Sequence, residues 1–306
     1  MQIFKLKNSQ LSPVSEKKFN LEKDLQTLVE KNLKAIFGYE FVASEFNVNN
    51  FWIDTLAFDP ENKSFIIIEY KKDQGMSVVD QGYAYLAAML NNKAEFILEY
   101  NEQLKKSLNR SNVDWSQSKV IFVSRHFTTH QKGAIEFKDL PIELWEVQRF
   151  EDDILVFNQL KQAEVKDSIK TVSKSKTVRD VSQEIKSYSL EEHLSKMDEK
   201  SKEIFMNLYN QILEIGDGIT ENVTKYYIGF RFHGTNFTSI SHRGGIIVLH
   251  FRTKVKPSTQ LKIEKLPETA WDTTPLWKTE VRSTSEIPAA IEIARHAYKD
   301  YEARFK

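Results

Sequence analysis

The chain has 306 residues, of which 41% are apolar, a length and composition that favour two globular domains with ordinary cores. The chain has 43 basic residues (Lys and Arg) and 43 acidic residues (Asp and Glu), so the net charge indicates neither a nucleic acid nor a membrane as partner. Balanced net charge is still compatible with a local basic groove. Because there is no cysteine, disulfides, thiolate metal sites and cysteine nucleophiles are excluded, and we expect a cytoplasmic protein. We expect no leader peptide and no membrane partner, since no apolar run is long enough to span a bilayer.

The first 160 residues alternate between helix and strand patterns. Strands are expected over 2–6, 41–46, 94–100, 119–124, 142–147 and 153–157, with a hairpin over 51–72 and helices over 21–37, 78–90 and 128–138. The first helix is predicted to end at Gly38, a natural helix terminator, and residues 11–20 are expected to form a polar connection. This order predicts an α/β domain, a sheet flanked by helices.

The rest of the chain is predicted to be a linker and a second domain. Residues 161–187 are rich in Lys, Ser, Thr and Glu with few large apolar residues, which is typical of an interdomain linker. Residues 188–306 predict a small α+β domain. Its helices are expected over 189–215, with a break near Met197, and over 287–305, and its strands over 225–232, 237–241, 246–253 and 277–282.

The hairpin over 51–72 carries charges in an unexpected place. Its turn is marked by Asp59-Pro60-Glu61-Asn62, since proline fixes φ and Asp and Asn side chains bond their own backbone. Because side chains alternate along a strand, Asp54 on the first strand can lie near Glu69 and Lys71 on the second. Glu69 directly follows the apolar run Phe65–Ile68 and Lys71 comes two residues later, and charges buried there need a compensating partner.

Two converging carboxylates repel each other unless a cation lies between them. Mg²⁺ suits such a place, because it prefers oxygen ligands and keeps several waters. Asp54, Glu69 and the carbonyl of Tyr70 are the candidate ligands, and Lys71 is placed to act on a metal-bound water or on a phosphate. These parts predict metal-assisted phosphodiester hydrolysis. The alternative is an ordinary ion pair at a sheet edge, because Glu-x-Lys alone is a common pattern.

Other polar residues are candidates to join this site. Glu22 falls within the apolar stripe of the first helix, close in angle to Val29, although a favourable first-turn charge is the simpler interpretation. Glu30 lies at the edge of that stripe, and Glu45 lies on the strand before Asp54. On the second helix, Gln81 and Tyr85 are four residues apart and share a face.

Together, residues 20–125 resemble the PD-(D/E)XK nucleases, the restriction-endonuclease-like superfamily, over about a third of the chain. The matching positions are Glu22 on the helix, Asp54 and Glu69-Tyr70-Lys71 on the hairpin, and Gln81 with Tyr85 as the Gln-x-x-x-Tyr motif of the RecB-like branch. The chain departs from the family name at Ile53, which stands in place of the leading proline. The C-terminal domain resembles a domain of unknown function that is found with defence nucleases.

The resemblance implies a restriction-endonuclease-like mixed sheet and a Mg²⁺-dependent deoxyribonuclease in which Mn²⁺ can substitute. It implies catalytic roles for Glu22, Asp54, Glu69 and Lys71, and support of the site or of bound DNA by Gln81 and Tyr85. A catalytically silent binding or scaffold protein with the same fold, and a nuclease acting on RNA, are the alternatives. The sequence does not predict the oligomeric state, and both a monomer and a homodimer are compatible with it.

The remaining candidate residues and motifs give weaker indications of a function. His233, His242, Arg243 and His250 are close in sequence, but their spacing matches no metal-ligand pattern. No Walker-type phosphate loop and no Gly-x-Ser-x-Gly elbow occur, which argues against nucleotide hydrolysis and serine-hydrolase chemistry.

Overall fold

A computed structural model describes residues 2–19, 22–71, 77–137, 139–160, 168–169, 173–267 and 276–304. The chain divides into two compact units, Met1–Ser187 and Tyr188–Lys306. Leu21 and Lys72, at the limits of two predicted elements, lie outside the described residues, as do 161–167 and 170–172 of the predicted linker.

The first unit is an α/β domain built on a mixed seven-stranded sheet. The strands of the first unit are β1 (Phe4–Lys7), β2 (Gln10–Pro13), β3 (Glu16–Lys17), β4 (Glu40–Val48), β5 (Phe51–Asp59), β6 (Ser64–Lys71), β7 (Lys119–Ser124), β8 (Ile142–Phe150) and β9 (Leu155–Leu160). Its described helices are α1 (Glu22–Lys31), α2 (Leu33–Phe37), α3 (Val78–Asn91), α4 (Lys93–Leu104), α5 (Thr129–Ala134) and α6 (Lys176–Glu184). The sheet order is β3-β8-β7-β6-β5-β4, with β9 also on β8, while β1 and β2 form a separate hairpin. The pairs β6–β7 and β7–β8 are parallel, and the others in this sheet are antiparallel.

Strand β6 is the centre of the domain, because every residue from Ser64 to Tyr70 is buried. Phe65 and Ile67 join the core with residues of α3, α4 and α6, whereas Ile66 and Ile68 join the core with residues of α1 and α2. The sheet is therefore covered on both faces, which explains the continuous apolar run in the sequence. Each fully buried isoleucine contributes about 1.5–3 kcal/mol relative to an exposed one.

The turn between β5 and β6 is held by Asp59, which is 1% exposed. Its carboxylate accepts hydrogen bonds from the backbone N–H of Glu61 at 2.9 Å and of Asn62 at 3.1 Å, and from Asn62 Nδ2 at 2.8 Å. The side chain thus closes the turn locally, as the sequence predicted, and fixes the register of the two strands.

We expect Asp59→Ala to lower the free energy of unfolding of the first unit by about 2 kcal/mol, because the partly buried donors of the turn lose their acceptor. Urea unfolding followed by circular dichroism measures this change. The matched control is Glu95→Ala on the exposed face of α4, for which we expect a change within about 0.5 kcal/mol. Equal stabilities of the two variants would contradict this role of Asp59.

Two local predictions were wrong. Residues 94–100 were expected to form a strand but lie in α4, where Phe96 and Tyr100 are buried one helical turn apart. The predicted polar connection over 11–20 contains β3 and part of β2, which pairs with β1. The first helix does end at Gly38, whose φ of 76° is left-handed, but it is divided at Asn32 into α1 and α2.

The predicted linker was also wrong for residues 176–185. Residues 176–184 form α6 and Ile185 follows it in extended conformation. Val178, Val181 and Ile185 are buried in the core of the first unit. The spacing of these three residues makes one narrow apolar stripe, which the polar composition of the segment hid.

The second unit is an antiparallel sheet with helices packed on it. Its strands are β10 (Thr220–Val223), β11 (Ile228–Phe232), β12 (Thr235–Arg243), β13 (Ile246–Arg252), β14 (Ile263–Lys265) and β15 (Leu276–Val281). Its helices are α7 (Leu190–Leu194), α8 (Glu199–Leu213) and α9 (Ile287–Glu302). The strand order is β10-β11-β12-β13-β15-β14. The predicted break near Met197 separates α7 from α8, and Asp198 caps α8 by accepting from Ser201 N–H.

No helix in the described part of the chain is long and apolar enough to cross a membrane.

Candidate active site

The candidate site lies where strands β5 and β6 part. Their last paired residues at this end are Thr55 and Ile68, and Asp54 and Glu69 come next in register. At this point, hydrogen bonds from backbone N–H groups to side-chain carboxylates take the place of the backbone hydrogen bonds between the two strands. Glu69 Oε1 accepts from the N–H of Asp54 at 3.1 Å, and Asp54 Oδ2 accepts from the N–H of Tyr70 at 2.9 Å. The two predicted carboxylates are therefore side by side, each bonded to the other strand.

Helix α3 places two further residues against this pair. Its first turn is capped by Ser77, whose side chain accepts from Asp80 N–H. Gln81 Nε2 lies 3.5 Å from Glu69 Oε2 and donates to the Tyr85 hydroxyl at 3.2 Å. The hydroxyl of Tyr85 donates to the carbonyl oxygen of Trp52 at 3.0 Å. The structure thus brings both residues of the Gln-x-x-x-Tyr pattern to Glu69.

Burial makes the negative forms of both carboxylates unfavourable. Glu69 is only 4% exposed, and burial, followed by the nearby charge of Asp54, raises its pKa to about 8. Burial also raises the pKa of Asp54, against the lowering effect of the Tyr70 N–H. Without a cation, Glu69 therefore holds a proton at neutral pH.

Lys71 is the nearest cation on the hairpin itself. Its ammonium lies 5.6 Å from the ring centroid of Phe122 on the neighbouring strand, and its charge lowers the pKa of both Asp54 and Glu69. This effect is smaller than the effect of burial, so Lys71 alone does not neutralise the pair. Its side chain is on the same strand as Glu69, two residues away, as the sequence predicted.

Helix α1 contributes two residues that the sequence analysis missed. Gln26 is 4% exposed, and its Nε2 lies 2.9 Å from the carbonyl oxygen of Asp54, 3.0 Å from Glu30 Oε1 and 3.3 Å from Glu45 Oε1. Lys23 donates to Glu45 Oε1 at 2.6 Å. The signal was present in the sequence, since Gln26 is a polar residue beside Leu25 within the apolar stripe.

The three candidate carboxylates outside the hairpin differ in position. Glu22 was predicted at the metal but is exposed, because it is the first residue of α1 and lies one turn before the buried Gln26. Glu30 accepts from the hydroxyl of Thr55 at 2.7 Å. Glu45 is across from Asp54 on β4, and its charge contributes to the raised pKa of Asp54. It also has a left-handed φ of 54°, a conformation that non-glycine residues seldom adopt.

Within the described residues, no group of three or more His, Asp or Glu side chains is arranged to hold a metal ion. Glu22 is not grouped with Asp54 and Glu69, and its action on the metal, directly or through water, stays a prediction. The pair itself fits a hard divalent cation, because both members offer oxygen atoms and the charge of Asp54 raises the cost of ionising Glu69. The ring of Tyr70 lies on the face of the sheet opposite to Glu69, with its hydroxyl 3.3 Å from Thr55 Oγ1. The role of its carbonyl oxygen as a metal ligand stays a prediction.

Comparisons with known proteins give a similar protein and a matching family model. A protein of Haemophilus influenzae, named "Uncharacterized protein", is 49% identical over 232 residues, which cover 76% of this chain and 77% of the relative. The chain belongs to the family of this protein. Because 232 residues exceed the 187 residues of the first unit, the family shares sequence in both units. Residues 190–299, within the second unit, match the family model described as "Domain of unknown function (DUF5655)". No solved structure matches the chain significantly.

We expect Gln26→Leu to lower the free energy of unfolding of the first unit by about 1–3 kcal/mol, because the partly buried carbonyl oxygen of Asp54 loses its amide donor. Chemical denaturation of the variant and of the parent protein measures the difference. Gln103→Leu, an exposed glutamine on α4, is the control and is expected to leave stability within about 0.5 kcal/mol. A Gln26→Leu protein as stable as the control would show that the amide does not hold β5.

Proposed function

We propose that the chain is a metal-dependent nuclease that hydrolyses phosphodiester bonds of DNA, with the site on the PD-(D/E)XK-like hairpin. The observation that supports this most is the pair formed by the half-buried Asp54 and the buried Glu69, at the parted end of β5 and β6. Two adjacent carboxylates of this kind, with raised pKa values, are typical of a functional site rather than of a stabilising ion pair. Lys71 beside it supplies the positive charge that a phosphate substrate needs.

Each residue has a role that follows from its position. Asp54 and Glu69 would hold Mg²⁺ or Mn²⁺. The bound ion would supply Lewis acidity and a more acidic water. Lys71 orients the attacking water or stabilises charge on the phosphate. Gln81 and Tyr85 hold Glu69 and the Trp52 end of β5 in place through the bonds described above.

The arrangement of α1 adds a supporting layer. Gln26 ties the backbone at Asp54 to Glu45 on the next strand, so that β4 and β5 are held at the site by one buried amide. Lys23 offsets part of the negative charge, since it pairs with Glu45 and lowers the pKa of Asp54. Groups that lock the rotamers of site residues in this way reduce the cost of binding an ion and a substrate.

The setting we propose is the cytoplasm, where the protein would act on foreign DNA or in DNA repair. The absence of cysteine is compatible with a reducing compartment. The link to defence rests on the resemblance of the second unit to domains found with such nucleases.

The proposal is tested by incubating the purified chain with single- and double-stranded DNA and with RNA, in Mg²⁺, in Mn²⁺ and in EDTA. We expect cleavage of DNA with either metal and no cleavage in EDTA. Asp54→Asn and Glu69→Gln should both be inactive, while Glu95→Gln on α4 should keep full activity. Cleavage that persists in EDTA, or activity retained by both site variants, contradicts the proposal. Cleavage of RNA alone would reassign the substrate.

A further inference from the structure

The sheet of the second unit has two unlike faces. Helices α8 and α9 cover one face, where Phe230, Ile240 and Leu249 join the apolar core. Because side chains alternate along strands, the intervening residues lie on the other face. We call this the polar face and define it by Ser239, Ser241, Arg243, His250, Arg252 and Lys278.

The register of the strands brings these residues together. Ser239 on β12 is directly opposite His250 on β13, which is directly opposite Lys278 on β15. Side chains at such opposite positions lie about 5 Å apart at Cβ. Ser241 lies two residues after Ser239 on β12, and Arg252 lies two residues after His250 on β13. Because the two strands are antiparallel, Ser241 and Arg252 lie towards opposite ends of the sheet. The polar face is thus a row of donors across three strands with cations beside it.

The polar face is buried to a degree unusual for charged groups. Arg252 is 6% exposed and Ser241 is 3% exposed. The hydroxyl of Ser241 is buried and has no hydrogen-bond partner among the described residues. In the same row as Ser239, Asn222 Nδ2 is likewise buried and without a partner in the described part of the chain. Buried polar atoms left without partners cost free energy, and a bound ligand would satisfy them.

The charges on the polar face are mostly positive. Burial, together with Arg243, Lys278 and Arg252, lowers the pKa of His250 to about 4, so its imidazole is neutral at pH 7. Two acids are also present, but Glu264 pairs with Lys278 at 3.1 Å and Glu280 pairs with Arg282. The exposed Arg243 has no ion pair with any described residue.

We propose that the polar face binds a small phosphorylated ligand. A phosphate offers three acceptor oxygens and up to two negative charges, which match guanidinium and ammonium groups, hydroxyls and an imidazole N–H. The occupant is small because Ser241, whose hydroxyl has no partner among the described residues, is almost fully buried. A nucleic-acid backbone would meet only the exposed Arg243 at the edge.

The experiment uses the full chain in EDTA, so that no metal-dependent binding contributes. Inorganic phosphate, ATP and a ten-residue oligothymidylate are titrated separately at constant ionic strength. The readouts are the imidazole NMR signal of His250, assigned by its loss in His250→Gln, and the midpoint of thermal unfolding. We expect phosphate or ATP to shift the His250 signal and to raise the midpoint.

Two variants and a control make the test specific. Arg243→Gln and Ser241→Ala should each weaken binding about tenfold, the effect of losing one charged or buried hydrogen bond. Without ligand, Ser241→Ala should melt no lower than the parent, because it removes an unpartnered hydroxyl. Arg295→Gln on α9 should bind as the parent does. The proposal is overturned if neither phosphate nor ATP shifts His250, if only the oligonucleotide does, or if both site variants bind normally.

Discussion

Replacing Lys71 by methionine is expected to lower the rate of Mg²⁺-dependent DNA cleavage by about 10³-fold or more. The ammonium of Lys71 is the cation on the same strand as Glu69, and its charge acts on both carboxylates of the pair. Methionine keeps most of the length and the apolar stem that lies near Phe122, so the fold should persist. Single-turnover cleavage measured with saturating metal separates the chemical step from substrate binding.

The control for this experiment is Lys34→Met, which removes an exposed lysine from α2. We expect the control to cleave DNA at the parental rate, and both variants to keep the parental circular dichroism spectrum. A Lys71→Met protein that cleaves within a few-fold of the parent would remove Lys71 from the site. In that case Lys23, which pairs with Glu45 and acts on Asp54, is the remaining cation to test.

The free energy of unfolding is expected to fall by about 1.6 kcal/mol between pH 6.5 and pH 8 because of Glu69. Its pKa is about 8 in the folded chain, against an ordinary value of 4.5, so the folded state binds more protons than the unfolded state in this window. The stabilisation is complete below pH 4.5 and is lost as the pH rises towards 8. Asp54, whose pKa is also raised, acts in the same direction.

Urea unfolding in EDTA at several pH values between 6.5 and 8.5 measures this effect. Starting at pH 6.5 avoids most of the opposite contribution of His250, whose lowered pKa makes the folded state gain stability as the pH rises from about 4 to 6.5. The matched variant is Glu69→Gln, which stays neutral and should lose the pH dependence. If parent and variant show equal slopes, Glu69 is ionised in the folded chain and the proton assignment is wrong.

The central hairpin could be predicted from the sequence because its determinants are local. The Asp59 turn, the apolar run of β6 and the alternation of side chains together set Asp54 beside Glu69. Gln81 and Tyr85 followed from helical spacing. The exposure of Glu22 could not be predicted from the sequence. The helical angle gives the direction of a side chain, but not whether another element packs against that turn of the helix. The structure leaves Glu22 exposed and gives the buried place to Gln26.

Other parts of the fold depend on distant contacts that composition does not reveal. Helix α6 has the polar composition of a linker, yet Val178 and Val181, with Ile185 directly after the helix, are buried in the core of the first unit. Residues 94–100 contain enough apolar side chains for a strand, and only the packing of Phe96 and Tyr100 on one side favours a helix. The polar face of the second unit depends on strand register, which brings His250 and Lys278 together although 28 positions separate them in the chain.

The most direct test of the proposed active site is a crystal of the chain soaked in Mn²⁺ and measured at the manganese absorption edge. The proposed function predicts an anomalous peak between the carboxylates of Asp54 and Glu69, within about 2.0–2.5 Å of an oxygen atom of each. The same crystal form of Asp54→Asn should lack the peak or show it strongly weakened. A parent crystal with no peak at this pair, or with manganese bound only elsewhere, would contradict the assignment of the site as a metal-dependent nuclease centre.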